Sequence, residues 1–197
     1  GHFTTLQTPD HNPSKPHPGM LLSAMEETGA APNQTVMVGD TVFDMELARA
    51  AKKYDTRISF DLNYRASFWK NREEELRKVF TEIASISDIL VGNEEDFQLC
   101  LGIEGPEAGG KNIAAQIESF KGMIDRVKVA FPNVSVYATT LRQVIDTNTH
   151  LWGAIMLEGE NWHVVEPREI HVLDRIGGGD GFVGGMLYAI LKGWEPE

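Results

Sequence analysis

Two periodicities alternate along the chain. Met20, Leu21, Ala24 and Met25 recur at helical spacing between Pro18, where a missing N–H costs nothing at a helix start, and Gly29, a natural helix stop. Residues 35–39 (TVMVG) form a short apolar run that predicts a buried strand. Phe43, Leu47, Ala48 and Ala51 then predict one amphipathic helix over 41–54. Residues 57–62 (RISFDL) are β-branched and aromatic, as strands are. Residues 72–86 predict a helix whose charges, including Glu73, Glu74 and Glu75, face solvent. Residues 88–92 (DILVG) predict another buried strand, followed by a helix that ends near Leu101 and that Asn93 can cap. Ile113, Ile117, Phe120, Ile124 and Val127 mark the core face of a helix over about 110–131. A strand over 134–140 follows, and alternating apolar positions in 151–157 and 161–166 predict a hairpin around Glu158-Gly159. The chain closes on a glycine run and an apolar helical pattern within 172–191.

Strand–helix alternation of this kind predicts an α/β fold, a three-layer α/β/α Rossmann-like arrangement with a mostly parallel sheet in a single domain. Residues 1–17, rich in Pro, His and Thr, read as a tag remnant and loop, and 18–197 as the domain. The strand ends at Asp40, Asp61, Asn93, Arg142 and Gly177 are expected on one edge, where open α/β sheets bind ligands. A net charge of −11 argues against nucleic acid or an acidic membrane surface as a partner. The lone Cys100 excludes an internal disulfide and fits a reducing compartment. With no signal peptide or span-length apolar run visible, a cytoplasmic location is expected.

Four polar clusters carry candidate chemistry. Gly177, Gly178 and Gly179 precede Asp180 at the start of a helix. Such a start can cradle phosphate with free amides, or can simply be a glycine turn with Asp180 as the cap. Asp40 and Asp44, four apart in GDTVFD, suit either Mg²⁺ or helix capping and dipole roles. Asp61, Asn63 and Arg65 follow a strand, and a fixed cation such as Arg65 suits an acidic sugar or a phosphate. Asn93 and Asp96 bracket an acidic helix start.

Two of these stretches resemble known families. DRIGGGDGFVGG, with the arginine and triple glycine, resembles the C-terminal signature of the ribokinase-like (PfkB) sugar kinases, specifically 2-keto-3-deoxygluconate kinases. The similarity runs back to about Lys52. It implies an anion hole at Gly177, Gly178 and Gly179, a catalytic base at Asp180, and a phosphate contact at Arg142. It also implies a sugar-facing edge at Asp61, Asn63 and Arg65. Asn93 and Asp96 stand at the family's NxxE motif, which governs Mg²⁺ and phosphate through water; Asp96 is one methylene shorter than the motif's glutamate. ATP and Mg²⁺ are the implied cofactors, and a nucleotide and a sugar acid the implied small-molecule partners. Residues 14–51 resemble the third and fourth motifs of haloacid-dehalogenase-like (HAD) phosphatases, with Lys15 as the motif lysine and Asp40 and Asp44 as Mg²⁺ ligands. The nucleophile motif DxDx(T/V) of that family is not in the sequence, so the three are orphaned and a phosphatase cycle has no nucleophile.

The chain therefore reads as a chimera, with an HAD-like βα segment over 18–51 and a ribokinase-like segment over 52–197. Its splice falls inside a predicted helix, where natural fusions rarely join. The resemblance leaves parts of the kinase family's sugar pocket, lid and adenine pocket without a counterpart. The expectation is residual ATP/Mg or anion binding, with an active sugar kinase as the alternative and a phosphatase a distant third. Self-association through exposed sheet edges and apolar surface is also expected.

Overall fold

The connections between the first four strands place every linking helix on the same side of the sheet. The computed structural model describes residues 4–15, 17–38, 42–105, 113–174 and 176–195. In chain order the elements are α1 (Gly19–Thr28), β1 (Val36–Val38), α2 (Val42–Lys52), β2 (Arg57–Asp61), α3 (Ala66–Trp69), α4 (Glu73–Ala84) and β3 (Ile89–Val91). They continue as α5 (Glu94–Leu101), α6 (Ile113–Ala130), β4 (Val136–Val144), β5 (Thr149–Glu158), β6 (Asn161–His171) and α7 (Gly178–Lys192). The six strands lie in the order β1-β2-β3-β4-β5-β6. Pairing is parallel from β1 to β4 and antiparallel from β4 to β6. Crossovers that step steadily in one direction, each right-handed, keep their helices on one face.

Strand parity then divides the core. Phe60, Leu90 and Tyr137 are cross-strand neighbours. They pack with Leu76 and Phe80 of α4, Phe97 and Cys100 of α5, and Phe120 and Ile124 of α6. On the opposite face Ile89, Val91, Val136 and Ala138 meet Val183 and Leu187 of α7. Burying a side chain of this size contributes roughly 1.5–3 kcal/mol. The short strand β3, buried on both faces, is the centre of both clusters.

The HAD-like stretch is not a separate body. β1 pairs with β2 in the register Val36↔Arg57, and Leu47, Ala48 and Ala51 of α2 pack on Ile58, with Leu21 of α1 against the same cluster. Both ancestries thus share one sheet. Asp88 fastens the junction: its Oδ2 accepts from the Ile58 amide at 2.7 Å, and its other oxygen pairs with Lys52 at the end of α2.

The predicted elements are present, with a short helix, α3, where none was predicted and three further differences. β4 extends to Val144, so Arg142 lies within a strand and not beyond one. The predicted hairpin is longer, spanning Thr149–Glu158 and Asn161–His171. A second hairpin joins β4 to β5 through a turn in which Asp146 Oδ1 accepts from the amides of Asn148 and Thr149, both at 2.8 Å. Those three strands run past the end of β3, whose last register pair is Val91↔Ala138, and form an antiparallel extension. The edge strand β6 carries Pro167 and a register shift opposite the Trp152/Ala154 step, features that discourage further strand pairing. Gly153 makes this possible, since a Cβ there would stand 2.6 Å from the Val165 carbonyl oxygen.

Removing the Asp88 carboxylate (Asp88→Ala) should cost about 2 kcal/mol, because the Ile58 amide loses a charged acceptor. Lys52→Ala, which removes a half-exposed partner only, should cost less than about 1 kcal/mol. Urea unfolding of both variants checks this, and equal losses would contradict it.

Candidate functional site

Parallel strands present their carboxyl ends at one edge, and there the polar residues gather. Asp96, in the first turn of α5, is the joint between two strand tips. Its Oδ2 accepts from the Asn93 amide at 2.8 Å and its Oδ1 from the Tyr64 amide at 2.9 Å. Asn93 Oδ1 in turn accepts from the Asp96 amide at 2.9 Å, which completes a reciprocal cap. The fit is close: a Cβ on Gly92 would lie 3.1 Å from both Asp96 Cβ and Leu62 Cδ1. Burial raises the Asp96 pKa, while the two amide hydrogen bonds oppose that shift.

Asp61 ends β2 beside this joint. Its carboxyl is pushed up to about 6, first by burial and then by the charges of Asp96 and Asp180, against the Asn63 amide and the Arg65 cation. Asp96 of α5 and Asp180 of α7 therefore both lie within electrostatic reach of Asp61, and Arg65 is a cationic neighbour of Asp61 and Asp96. Asn63 is exposed in a left-handed conformation (φ 35°), which turns its amide back toward Asp61. Arg65 is exposed at the start of α3. Among the described residues, no three His, Cys, Asp or Glu side chains are placed to hold a metal by themselves.

The glycine run forms the start of α7. Gly177 is its cap, left-handed at φ 77°, and the Gly181 amide donates to the Gly177 carbonyl at 2.8 Å. The amides that open α7 have no partner within the helix. Among the described residues, nothing lies within 4 Å of where a Cβ would stand on Gly177 or Gly179, so the turn is open on that side. Gly178 instead rests on the Trp152 indole, 3.4 Å from a Cβ placed there. Trp152 is the cross-strand partner of Arg142, so the exposed arginine borders the turn from the neighbouring strand. Asp174 braces the approach, accepting from the Ile176 amide at 2.9 Å. Asp180 is exposed in the first turn of α7.

The HAD-like set is only partly described. Lys15 is exposed in the turn before α1. Asp40 and the side chain of Asp44 lie outside the described residues, although the Asp44 backbone belongs to α2. A groove of about 400 Å³ runs beside α7 against β5 and β6, lined by Phe182, Met186, Trp194, Met156 and Val165. Sequence patterning gave no sign that Trp152 supports the glycine turn, because that contact depends on the β4–β5 register.

Asp61 sets a pH dependence of known sign. Its folded-state pKa is raised, so the folded chain binds that proton more tightly than the unfolded chain. Its charge destabilises the fold above about pH 6, and that cost is relieved as pH falls from 6 toward the ordinary 3.8. Asp61→Asn should therefore stabilise the protein at pH 7.5 and lose that advantage by pH 4; urea midpoints across this range would refute the assignment if the advantage stayed constant.

Known proteins share this fold. The model of the pfkB family carbohydrate kinases matches residues 35–197, and that of the haloacid dehalogenase-like hydrolases matches residues 2–54. A 5-dehydro-2-deoxygluconokinase of Clostridium tetani is 30% identical over 145 residues, covering 74% of this chain and 37% of its own length. The crystal structure of 2-dehydro-3-deoxygluconokinase from Thermotoga maritima superposes with a TM-score of 0.67 at 30% identity, over 77% of this chain and 44% of that one. A structure described as a putative 2-keto-3-deoxygluconate kinase from Enterococcus faecalis gives 0.62 at 26% identity, over 79% and 44%. The chain thus spans about two-fifths of the length of these relatives. With a match that runs through the shared sheet to the glycine turn, and an HAD-like stretch at its amino end, this chain belongs to the pfkB family of carbohydrate kinases.

Proposed function

We propose that the chain carries the phosphate side of a sugar-kinase site, binds MgATP or a simple polyanion weakly, and has at most residual turnover. The observation that carries this is the open glycine turn at Gly177, with Asp180 in the first helical turn and Asp61 within its electrostatic reach. The α7 amides and Arg142 would hold the terminal phosphates, and Asp180 would accept the proton of a sugar hydroxyl as its oxygen attacks the γ-phosphorus and ADP leaves. Mg²⁺ would supply charge neutralisation on the phosphates. Asn93 and Asp96 would reach it through water, since both Asp96 oxygens already hold backbone amides. That fits Mg²⁺, which keeps several waters and takes few protein ligands.

The substrate class is supported by the relatives, whose names specify 5-dehydro-2-deoxygluconate and 2-dehydro-3-deoxygluconate. We assign this site a keto-deoxygluconate, with Asp61, Asn63 and Arg65 facing it and Arg65 offered to its carboxylate. An active kinase is the second reading, favoured by the exposure of Asp180. Phosphatase chemistry has no support, because the sequence lacks the aspartate nucleophile motif.

Calorimetry should give MgATP binding with a Kd on the order of 1 mM. A coupled assay with 2-keto-3-deoxygluconate should give turnover near background, and Asp180→Asn should remove what there is while leaving binding in place. Robust turnover that survives Asp180→Asn, or no binding at all, would overturn the reading. The exposed apolar residues Tyr188, Leu191 and Trp194 of the α7 region also support self-association. Light scattering should show mass rising with concentration, and a constant monomer mass would contradict it.

A further inference from the structure

One buried polar atom near the glycine turn is left without a partner. His150, on β5, is 3% exposed, and its Nδ1 has no hydrogen-bond partner among the described residues. A buried nitrogen in that condition destabilises the fold, so something should offset it. The strand register locates the side chain. His150 pairs with Val144 and Ile170, and it shares a face with Trp152, one pleat along the same strand. Those cross-strand neighbours are 54% and 37% exposed, so the cover over His150 does not come from them.

The chain leaving β6 passes this point. The Val172 amide donates to the Asn148 carbonyl at 2.7 Å, beside His150, and the chain then returns to Gly178 on the Trp152 ring. Val172 and Gly178 thus stand against Asn148 and Trp152, the residues two before and two after His150 in the chain.

We propose that His150 is a positioning residue for the phosphate turn. When an anion seats on the opening amides of α7, the backbone of 172–174 settles against the sheet and forms a hydrogen bond with Nδ1. His150 touches no substrate; it acts through the segment that leads into Gly177. This inference rests on the proposed nucleotide site and adds to it a residue that neither relative's name nor the glycine motif indicates.

The test compares MgATP binding by calorimetry in the wild-type chain, His150→Phe, His150→Asn and His150→Gln. Asparagine places a polar atom where Nδ1 stands, and glutamine places one near Nε2. Phe should weaken binding about tenfold, the worth of one buried hydrogen bond. Asn should restore it to within about twofold, and Gln should not. Without ligand, the Phe variant should be at least as stable as wild type to heat, because it removes an unpaired buried nitrogen. Hydrogen exchange with saturating MgATP should show the amides of 176–179 protected in wild type and Asn, and less so in Phe. Binding by Phe equal to wild type, or rescue by Gln as full as by Asn, would overturn the role of Nδ1 alone. Failure of the wild-type chain to bind MgATP would overturn the nucleotide reading and this inference together.

Discussion

Asp61 is partly buried at the carboxyl edge of the sheet beside the charges of Asp96 and Asp180, and that burial, reinforced by those charges, sets how the edge titrates. Asp61, Asp96 and Asp180 arrive from a strand tip and two helix starts. Charges that converge in partly buried surroundings interact far more strongly than in water. Asp96 meets the problem by accepting two backbone amides, which fixes the tips of β2 and β3 together. Asp61 has no comparable anchor, and its pKa rises to about 6. Asp180 stays exposed at the start of α7, where the helix dipole favours a negative charge. One carboxylate is thus structural, one titrates near pH 6, and one is exposed to solvent.

That edge depends on the architecture beneath it. Crossovers of one hand put α2, α4 and α6 on a single face and leave α7 on the other. The glycine turn therefore sits on the less crowded side, next to Trp152 and the antiparallel extension. The same asymmetry leaves the groove beside α7 open. The HAD-like stretch adds an edge strand in register with β2, and the Lys52–Asp88 pair closes the junction. Two ancestries can share a sheet because a βα unit asks only for strand pairing and an apolar helix face.

Much of this was legible from residues. Apolar periodicity located the helices α1, α2, α4 and α6, and β-branched runs located β2 and β3, because those signals are local. Asn93 was legible as a cap, and the structure has that cap, with Asp96 answering it. The antiparallel extension was less legible. Arg142 belongs to a strand only because β5 continues alongside it, and pairing between distant segments leaves little trace in either one. The β4–β5 turn did carry a local signal, Asp146 two residues before Asn148, which side-chain-to-backbone hydrogen bonding explains. The Trp152–Gly178 contact and the raised pKa of Asp61 arise from tertiary proximity, which no spacing encodes.

The most direct measurement of the central claim is a carbon-13 carboxyl NMR titration of Asp61 in the wild-type chain and in Asp180→Asn. Convergence of the strand tips predicts a wild-type midpoint near 6, raised from the ordinary 3.8, that moves down when the Asp180 charge is removed. An Asp61 midpoint at its ordinary value, or one indifferent to Asp180, would mean that these carboxylates do not share a site.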